Sequence, residues 1–165
     1  MKVQLAHQHI IIDAPRPLVF QMLSAFGRGH LPGDEEESSR VLERDGDRLT
    51  VEFFTMEGKR RYRTVEEVIL FPPERITFRH LEGPLHHSSE EFRLDEMADR
   101  TELSYRGDIQ CRIAWLPGMG WLIARFYVRP KYDRVIRQHM ERLKIAAQAR
   151  AARSHLFRRQ APATA

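Results

Sequence analysis

Hydrophobic and polar residues alternate along the centre of the chain, and this pattern predicts six antiparallel strands between Ser39 and Ile113. A period of two residues places one side of each strand in a core and the other in water. The alternation is clearest in Leu49-Val51-Phe53, Ile76-Phe78, Phe92-Leu94 and Leu103-Tyr105. Residues typical of turns separate the strands, namely Asp45-Gly46-Asp47, Glu57-Gly58, Pro72-Pro73, Gly83-Pro84 and Ala98-Asp99. Residues 62–71 alternate poorly, which predicts a β-bulge there.

A strand and a short helix are predicted before this meander. The strand covers about residues 3–12. Asp13 and Pro15 mark the start of the helix, because Asp caps free amides and Pro tolerates the first turn. Gly27 is predicted to end the helix. One buried face is indicated by residues that recur at spacings of three and four, namely Val19, Met22, Leu23 and Phe26.

The last predicted element is a long helix that opens at Pro117. Pro130 must kink or interrupt it, because proline lacks an amide donor and clashes with the preceding turn. Beyond the interruption a helical stripe is formed by Tyr132, Val135, Ile136, Met140 and Leu143. The helix is predicted to reach about Arg153. We therefore expect one domain over residues 1–153 and a flexible tail over 154–165.

Length and composition narrow the class of protein. A chain of 165 residues fits one domain, and 42% hydrophobic with 30% charged residues is ordinary for a globular protein. The single cysteine, Cys111, excludes an intrachain disulfide. No apolar run approaches the roughly 20 residues of a transmembrane helix, and the N-terminus lacks a signal-peptide pattern. A cytoplasmic protein is expected, and no motif predicts a cofactor or a nucleotide.

The charge of the chain is uneven. Residues 125–165 contain eleven Lys/Arg and two Asp/Glu, a net charge of +9 within a total of +4. A basic region of this kind suits an anionic partner, such as nucleic acid or a membrane surface. The alternative, which the helical spacing of the charges favours, is the solvated face of the C-terminal helix.

Several segments carry a family resemblance. They are His9 to Pro15 with Val19-Phe20 and Leu23, Phe71 to Ile76, Leu81 to Pro84, and Val128-Arg129-Pro130 through His139 to Lys144. With the order of the predicted elements, they resemble the START-like (SRPBCC) superfamily, and most of all its polyketide cyclase/dehydrase and coenzyme-Q-binding branch. The resemblance covers nearly all of residues 3–150. It implies an α+β helix-grip fold, in which a seven-stranded curved antiparallel sheet wraps around the C-terminal helix.

The resemblance also implies an apolar cavity between sheet and helix. Family members bind lipids, quinones, steroids or polyketides, and some cyclise or dehydrate polyketides. The leading hypothesis is therefore a carrier or sensor of a hydrophobic small molecule. The alternatives are a polyketide cyclase/dehydratase-type enzyme and a protein that binds a partner through its basic end. The candidate wall residues, for each of which plain core packing is the alternative, are Phe53, Phe78, Phe92, Tyr105, Trp121, Tyr132 and Met140.

Polar residues share the apolar phase of two strands. Phe92 and Leu94 face the core, so His86, Ser88 and Glu90 face the same side if no bulge intervenes. His80 likewise shares the phase of Ile76 and Phe78, and His139 lies beside Met140 on the last helix. A buried carboxylate or imidazole requires a polar partner, which makes these residues candidate ligand contacts. The alternative is that the start of the strand lies at a wet rim.

The turns also predict strand register. A three-residue loop over residues 82–84 would place His80 opposite His86 and Phe78 opposite Ser88. A two-residue loop, Ala98-Asp99, would place Phe92 opposite Tyr105, Glu90 opposite Gly107, and His86 opposite Cys111. The resulting row of His80, His86 and Cys111 would orient a polar ligand group or only hydrogen-bond water. Such a row could hold zinc, but parity alone is weak evidence for a metal.

Overall fold

An antiparallel sheet and a long C-terminal helix make up most of the fold in the computed structural model. The structure describes residues 2–27, 38–57, 59–111 and 118–160. The strands are β1 (Val3–Gln4), β2 (Gln8–Ile12), β3 (Ser38–Asp45), β4 (Arg48–Glu57), β5 (Arg60–Phe71), β6 (Arg75–Glu82), β7 (His87–Met97) and β8 (Arg100–Gln110). The helices are α1 (Arg16–Leu23), α2 (Met119–Ile123) and α3 (Arg129–Gln160). The predicted α+β helix-grip fold, a curved sheet with a long C-terminal helix, is confirmed.

The sheet contains eight strands, because the single strand predicted over residues 3–12 is divided in two. Strands β3 to β8 form the predicted meander, and both β1 and β2 pair with β8. Between them the backbone turns toward α3, where the Ala6 N–H donates to Asp133 Oδ1 at 2.8 Å. The Gln8 side-chain amide donates to the Asp133 carbonyl at 2.9 Å. These two bonds replace part of the strand ladder and tie the edge of the sheet to the helix.

The irregular strand β5 contains the predicted bulge. Its register against β6 shifts between Val65 and Glu66, whereas its pairing with β4 stays regular. Val65 therefore shares the outer face with Glu52, and Glu66 the inner face with Val51. Val68 and Leu70 then continue the inward phase. A carboxyl group, Glu66, is therefore in line with the apolar residues of the inner face.

The interruption predicted at Pro130 is also present. A wider, π-helical turn over residues 124–128 joins α2 to α3 and ends just before the proline. A widened turn accommodates the missing amide donor and the proline ring. Residue 117, the predicted start of the helix, lies outside the described residues. Helix α3 continues to Gln160, beyond the predicted end at about Arg153.

The helices bury the faces that their spacing predicts, with two differences. Met140, Leu143, Ala147 and Ala151 of α3 are buried, whereas Val135, placed on the same stripe, is 41% exposed. Val135 lies on the solvent side of the helix, and Ile136 packs against the core instead. Helix α1 ends at Leu23 rather than Gly27. The hydroxyl of the next residue, Ser24, donates back to the Phe20 carbonyl oxygen.

Ion pairs cover the outer face of the sheet. Glu52 on β4 contacts Arg40 at 2.7 Å and Arg63 at 2.6 Å. Glu67 on β5 contacts Arg48 and Arg79, each at 3.0 Å. The hydrogen bond from Arg63 lowers the pKa of Glu52, and the one from Arg79 lowers that of Glu67. The charged outer face leaves the opposite, apolar face of the sheet for α3.

No helix among the described residues is long and apolar enough to cross a membrane.

We expect Leu143→Ala to lower the free energy of unfolding by about 2–5 kcal/mol, because Leu143 is fully buried under the sheet. Ile145→Ala on the same helix is the matched control, since Ile145 is 67% exposed and its loss should change stability by less than about 0.5 kcal/mol. Urea unfolding followed by circular dichroism measures both. Equal losses for the two variants would contradict the assigned face of α3.

Candidate functional site

A row of aromatic rings crosses the inner face of the sheet. It runs from Phe26, after α1, through Phe53 on β4, Phe78 on β6 and Phe92 on β7 to Tyr105 on β8. Successive ring centroids are 5.8, 6.4, 6.0 and 4.9 Å apart. Tilted and edge-on rings at these separations attract one another beyond the apolar area that they bury. The row therefore forms a stiff apolar wall opposite α3.

The register predicted between β7 and β8 is confirmed. Phe92 pairs with Tyr105, and Glu90 pairs with Gly107, around the two-residue turn at 98–99. A Cβ atom built on Gly107 would lie 2.9 Å from Glu90 Cγ and 2.9 Å from the Ser89 carbonyl oxygen. Because Gly107 has no side chain, the Glu90 side chain can occupy the space beside it.

The register predicted between β6 and β7 is wrong by two residues. Phe78 pairs with Glu90 rather than with Ser88, and the ladder ends at the pair Arg79–Ser89. Consequently His86 precedes β7, is exposed, and does not pair with His80. The connection is longer than the assumed three-residue loop. The faces of the paired residues were therefore predicted correctly, but β7 is shifted along β6 by two residues. The predicted row of His80, His86 and Cys111 is not formed.

Glu90 is the centre of the polar cluster on the inner face. Its carboxylate is 8% exposed and accepts three hydrogen bonds from hydroxyl groups. Ser88 Oγ donates at 2.6 Å and Tyr132 Oη at 3.0 Å to Oε1, while Tyr105 Oη donates at 2.8 Å to Oε2. Three donors around one carboxylate provide the partners that a buried charge requires. The two tyrosines come from β8 and α3, so the cluster joins sheet and helix.

Both tyrosines keep their protons. Burial, and secondarily the charge of Glu90, raise the pKa of Tyr105 and that of Tyr132 above the usual value. They remain hydrogen-bond donors throughout the physiological pH range. Glu90 is therefore the hydrogen-bond acceptor of the cluster. A ligand that enters it meets a carboxylate to which three hydroxyl groups already donate.

A second carboxyl group, Glu66, lies on the same face and escaped the sequence prediction. It pairs with His80 across β5 and β6 and is 8% exposed. Burial, and secondarily the nearby charge of Glu90, raise the pKa of Glu66 to about 8. Glu66 is therefore a neutral carboxylic acid at pH 7 and can donate a hydrogen bond. Glu66 alternates in phase with the buried Val68 and Leu70, which could have predicted its inward position. The bulge expected over residues 62–71 made that phase uncertain.

Two imidazoles complete the interior. His139 of α3 stands with its ring centroid 6.4 Å from that of Phe92. Burial lowers the pKa of His139 and is also the largest effect on His80, whose pKa is lowered as well. Both rings are therefore neutral at pH 7. A neutral imidazole can donate one hydrogen bond and accept another.

The eleven predicted site residues differ in how much surface they keep. The buried ones are Phe78, Glu90, Phe92, Tyr105 and Met140. The half-buried ones are Phe53, His80, Trp121, Tyr132 and His139. Only His86 among the eleven is exposed. Tyr132 and His139 lie deep enough for burial to shift their pKa values, yet part of their surface stays open. Both residues are therefore half-buried at the contact between α3 and the sheet.

A separate surface hollow of about 270 Å³ lies beside β2 and α3. It is lined by His7, Gln8, His9, Ile10, Arg137, Met140 and Glu141. Apart from the buried Met140, it shares no residue with the predicted site. In the described part of the chain no three His, Cys, Asp or Glu side chains converge as metal ligands would.

Solved structures similar to this chain share its fold. The Zhui aromatase/cyclase from Streptomyces sp. R1128 is 19% identical, with a TM-score of 0.69 over 93% of this chain and 95% of that chain. A START superfamily protein from Mycobacterium smegmatis is 15% identical, with a TM-score of 0.64 over 92% and 99%. The di-domain ARO/CYC StfQ of the steffimycin biosynthetic pathway is 15% identical, with a TM-score of 0.74 over 92% and 52%.

No family model and no curated protein sequence matches the chain. The START-like resemblance is confirmed at the level of the fold, while the coenzyme-Q-binding branch stays a prediction.

We expect the wild type to lose stability as pH rises from 4.5, the ordinary pKa of this carboxyl, to about 8, its pKa in the folded protein. Glu66→Gln should remove most of that loss. Between these values the folded protein keeps a proton that the unfolded chain releases. Stability therefore falls as pH rises, by at most about 1.4 kcal/mol per pH unit. Urea unfolding at a series of pH values measures the slope for both proteins.

Glu67→Gln is the control for this titration. Glu67 faces outward, and its hydrogen bond to Arg79 lowers its pKa, so its contribution is lost on acidification instead. The control should keep the wild-type slope between pH 4.5 and 8. An unchanged slope in Glu66→Gln would show that Glu66 is ionised in the folded protein.

Proposed function

We propose that this protein binds a hydrophobic small molecule between the inner face of the sheet and α3. The observation that supports the proposal most is the partly open surface of Tyr132 and His139, opposite the aromatic row. Polar groups at the end of an apolar wall are the usual composition of a small-molecule site. The fold shared with aromatase/cyclases and a START superfamily protein is consistent with it.

The polar groups define the chemistry of the ligand. Glu90 has its carboxylate occupied by three hydroxyls, whereas Glu66 offers a proton and the two imidazoles are neutral. A carbonyl or phenol oxygen on a mostly aromatic ligand would accept from Glu66. An anionic ligand group would be repelled by Glu90. We therefore propose a neutral, oxygen-bearing aromatic ligand such as a polyketide or a quinone.

We expect Ile136→Trp to weaken binding of the neutral fluorescent probe N-phenyl-1-naphthylamine by about tenfold or more, because the indole fills space beside Tyr132. Ile136 is half-buried against the core, whereas the adjacent Val135 is 41% exposed. Val135→Trp is therefore the matched control and should bind like the wild type. Fluorescence titration gives the affinities, and thermal unfolding confirms that both variants fold. Equal affinities for all three proteins, or no binding by the wild type, would overturn the proposal.

Catalysis is the second candidate function, favoured by the protonation states of two inner residues. Glu66 is a protonated acid and His139 a neutral base at pH 7, the forms that general acid–base catalysis needs. Glu66 is close enough to Tyr132 to affect its pKa, and His139 lies about two turns beyond Tyr132 on α3, with its ring 6.4 Å from that of Phe92. A ligand placed against the aromatic row would lie between acid and base.

The reaction supported by this pair is enolisation of a β-dicarbonyl compound. His139 would take a proton from the carbon between the carbonyls, and the electrons of that C–H bond would form the enol double bond. Glu66 would donate its proton to the carbonyl oxygen. The products are the enol, an imidazolium and a carboxylate, and proton exchange with water restores both residues.

The enol absorbance of 1-phenylbutane-1,3-dione tests this candidate. We expect the wild type to accelerate its keto–enol interconversion, with a rate that falls as pH passes about 8, where Glu66 ionises. Glu66→Gln should lose most of the acceleration, and the outward control Glu67→Gln should retain it. Binding of the naphthylamine probe without any acceleration by the wild type would leave ligand binding standing and exclude this chemistry for the pair.

A further inference from the structure

The junction between α2 and α3 exposes a group of large apolar side chains. We call it the junction patch, formed by Met119, Leu122, Phe126 and Tyr127. Phe126 is 69% exposed and Tyr127 61%, and Leu122 is 44% exposed. Scattered exposed apolar residues are ordinary, but a contiguous group that contains two aromatic rings marks an interaction surface.

The local packing is inverted relative to a normal amphipathic helix. Within the π-helical turn the small Ala124 is fully buried, while the two large rings that follow it point outward. A helix that docks only on its own sheet would bury the rings and expose the alanine. The turn therefore presents the aromatic residues to something outside the domain.

Basic side chains surround the junction patch. The Arg125 guanidinium lies 5.8 Å from the ring centroid of Phe126, and Lys131 Nζ lies 4.0 Å from that of Tyr127. Lys131 also donates to Tyr127 Oη at 2.8 Å. Arg134 is exposed one turn further along α3. Asp133, the one acidic residue in this stretch of α2 and α3, is paired with Arg129 at 3.5 Å.

We propose that the junction patch docks on the surface of an anionic phospholipid bilayer. Exposed aromatic and aliphatic side chains beside Arg and Lys are the composition of segments that lie in the membrane interface. The rings would enter the boundary between headgroups and acyl chains, and the cations would meet lipid phosphates. Charge complementarity selects an anionic surface. The patch is a protruding turn rather than a groove, which suits a surface that needs no matching shape.

Vesicle flotation tests this proposal independently of ligand binding. The wild type should float with phosphatidylcholine vesicles that contain about 30 mol% phosphatidylglycerol, and much less with phosphatidylcholine alone. Binding should weaken as salt rises from about 0.05 to 0.5 M, because salt screens the cation–phosphate attraction.

Two variant pairs separate the apolar and the charged contributions. The double substitution Phe126→Ser with Tyr127→Ser should lower the bound fraction about tenfold, whereas Ile145→Ser, at a 67% exposed position of α3, should leave it unchanged. Arg125→Gln with Lys131→Gln should reduce the preference for anionic vesicles. Arg150→Gln with Arg153→Gln, exposed near the other end of α3, removes the same charge and should change it less.

Three outcomes would overturn the proposal. One is equal flotation of the wild type and the Phe126/Tyr127 variant, with circular dichroism showing that both fold. Another is equal loss in the Arg125/Lys131 and Arg150/Arg153 variants, which would indicate attraction by the whole basic helix. The third is absence of flotation together with sedimentation showing a dimer that the Phe126/Tyr127 variant dissociates, which would assign the patch to a second copy of the chain.

Discussion

The buried carboxylate of Glu90 links the sheet to the long helix. Hydroxyls from β7, β8 and α3 all donate to it, so three elements share one charge. A carboxylate in an apolar interior is costly unless its lone pairs are satisfied, and here three hydroxyl groups satisfy them. The absence of a side chain at Gly107 is part of the same arrangement, because any Cβ there would collide with Glu90.

Burial, and secondarily the charge of Glu90, raise the pKa values of the neighbouring groups Glu66, Tyr105 and Tyr132. The pKa of Glu66 is raised to about 8, so this buried carboxyl is neutral at pH 7. On the outer face, carboxylates are stabilised by ion pairs instead, because Glu52 and Glu67 lie between arginines on adjacent strands. One sheet therefore carries two electrostatic environments: paired ions facing water, and a polar cluster of hydroxyls, imidazoles and carboxyls facing an aromatic wall.

The inner side of α3 and the turn that precedes it carry two different proposals. Its inner side carries Tyr132 and His139 toward the aromatic row, where we propose a neutral aromatic ligand. The turn that precedes it carries Phe126 and Tyr127 outward among basic residues, where we propose a lipid surface. A fold shared at 15–19% identity with aromatase/cyclases and a START superfamily protein is compatible with both and specifies neither.

Alternation and turn chemistry in the sequence by themselves determined the six-strand meander, the bulge in β5, the interruption at Pro130 and the pairing of Glu90 with Gly107. Each of these follows from local rules, namely a period of two residues, a two-residue turn, or a missing amide. Only the tertiary structure decided how far β7 is shifted along β6, because the alternation of inward and outward residues does not fix the length of an irregular connection. His86 is therefore outside the cluster that was predicted to contain it. Tertiary structure likewise placed Glu66 beside Glu90 and Tyr132 above both, since the burial and charge that set their protonation come from strands and a helix far apart in the chain.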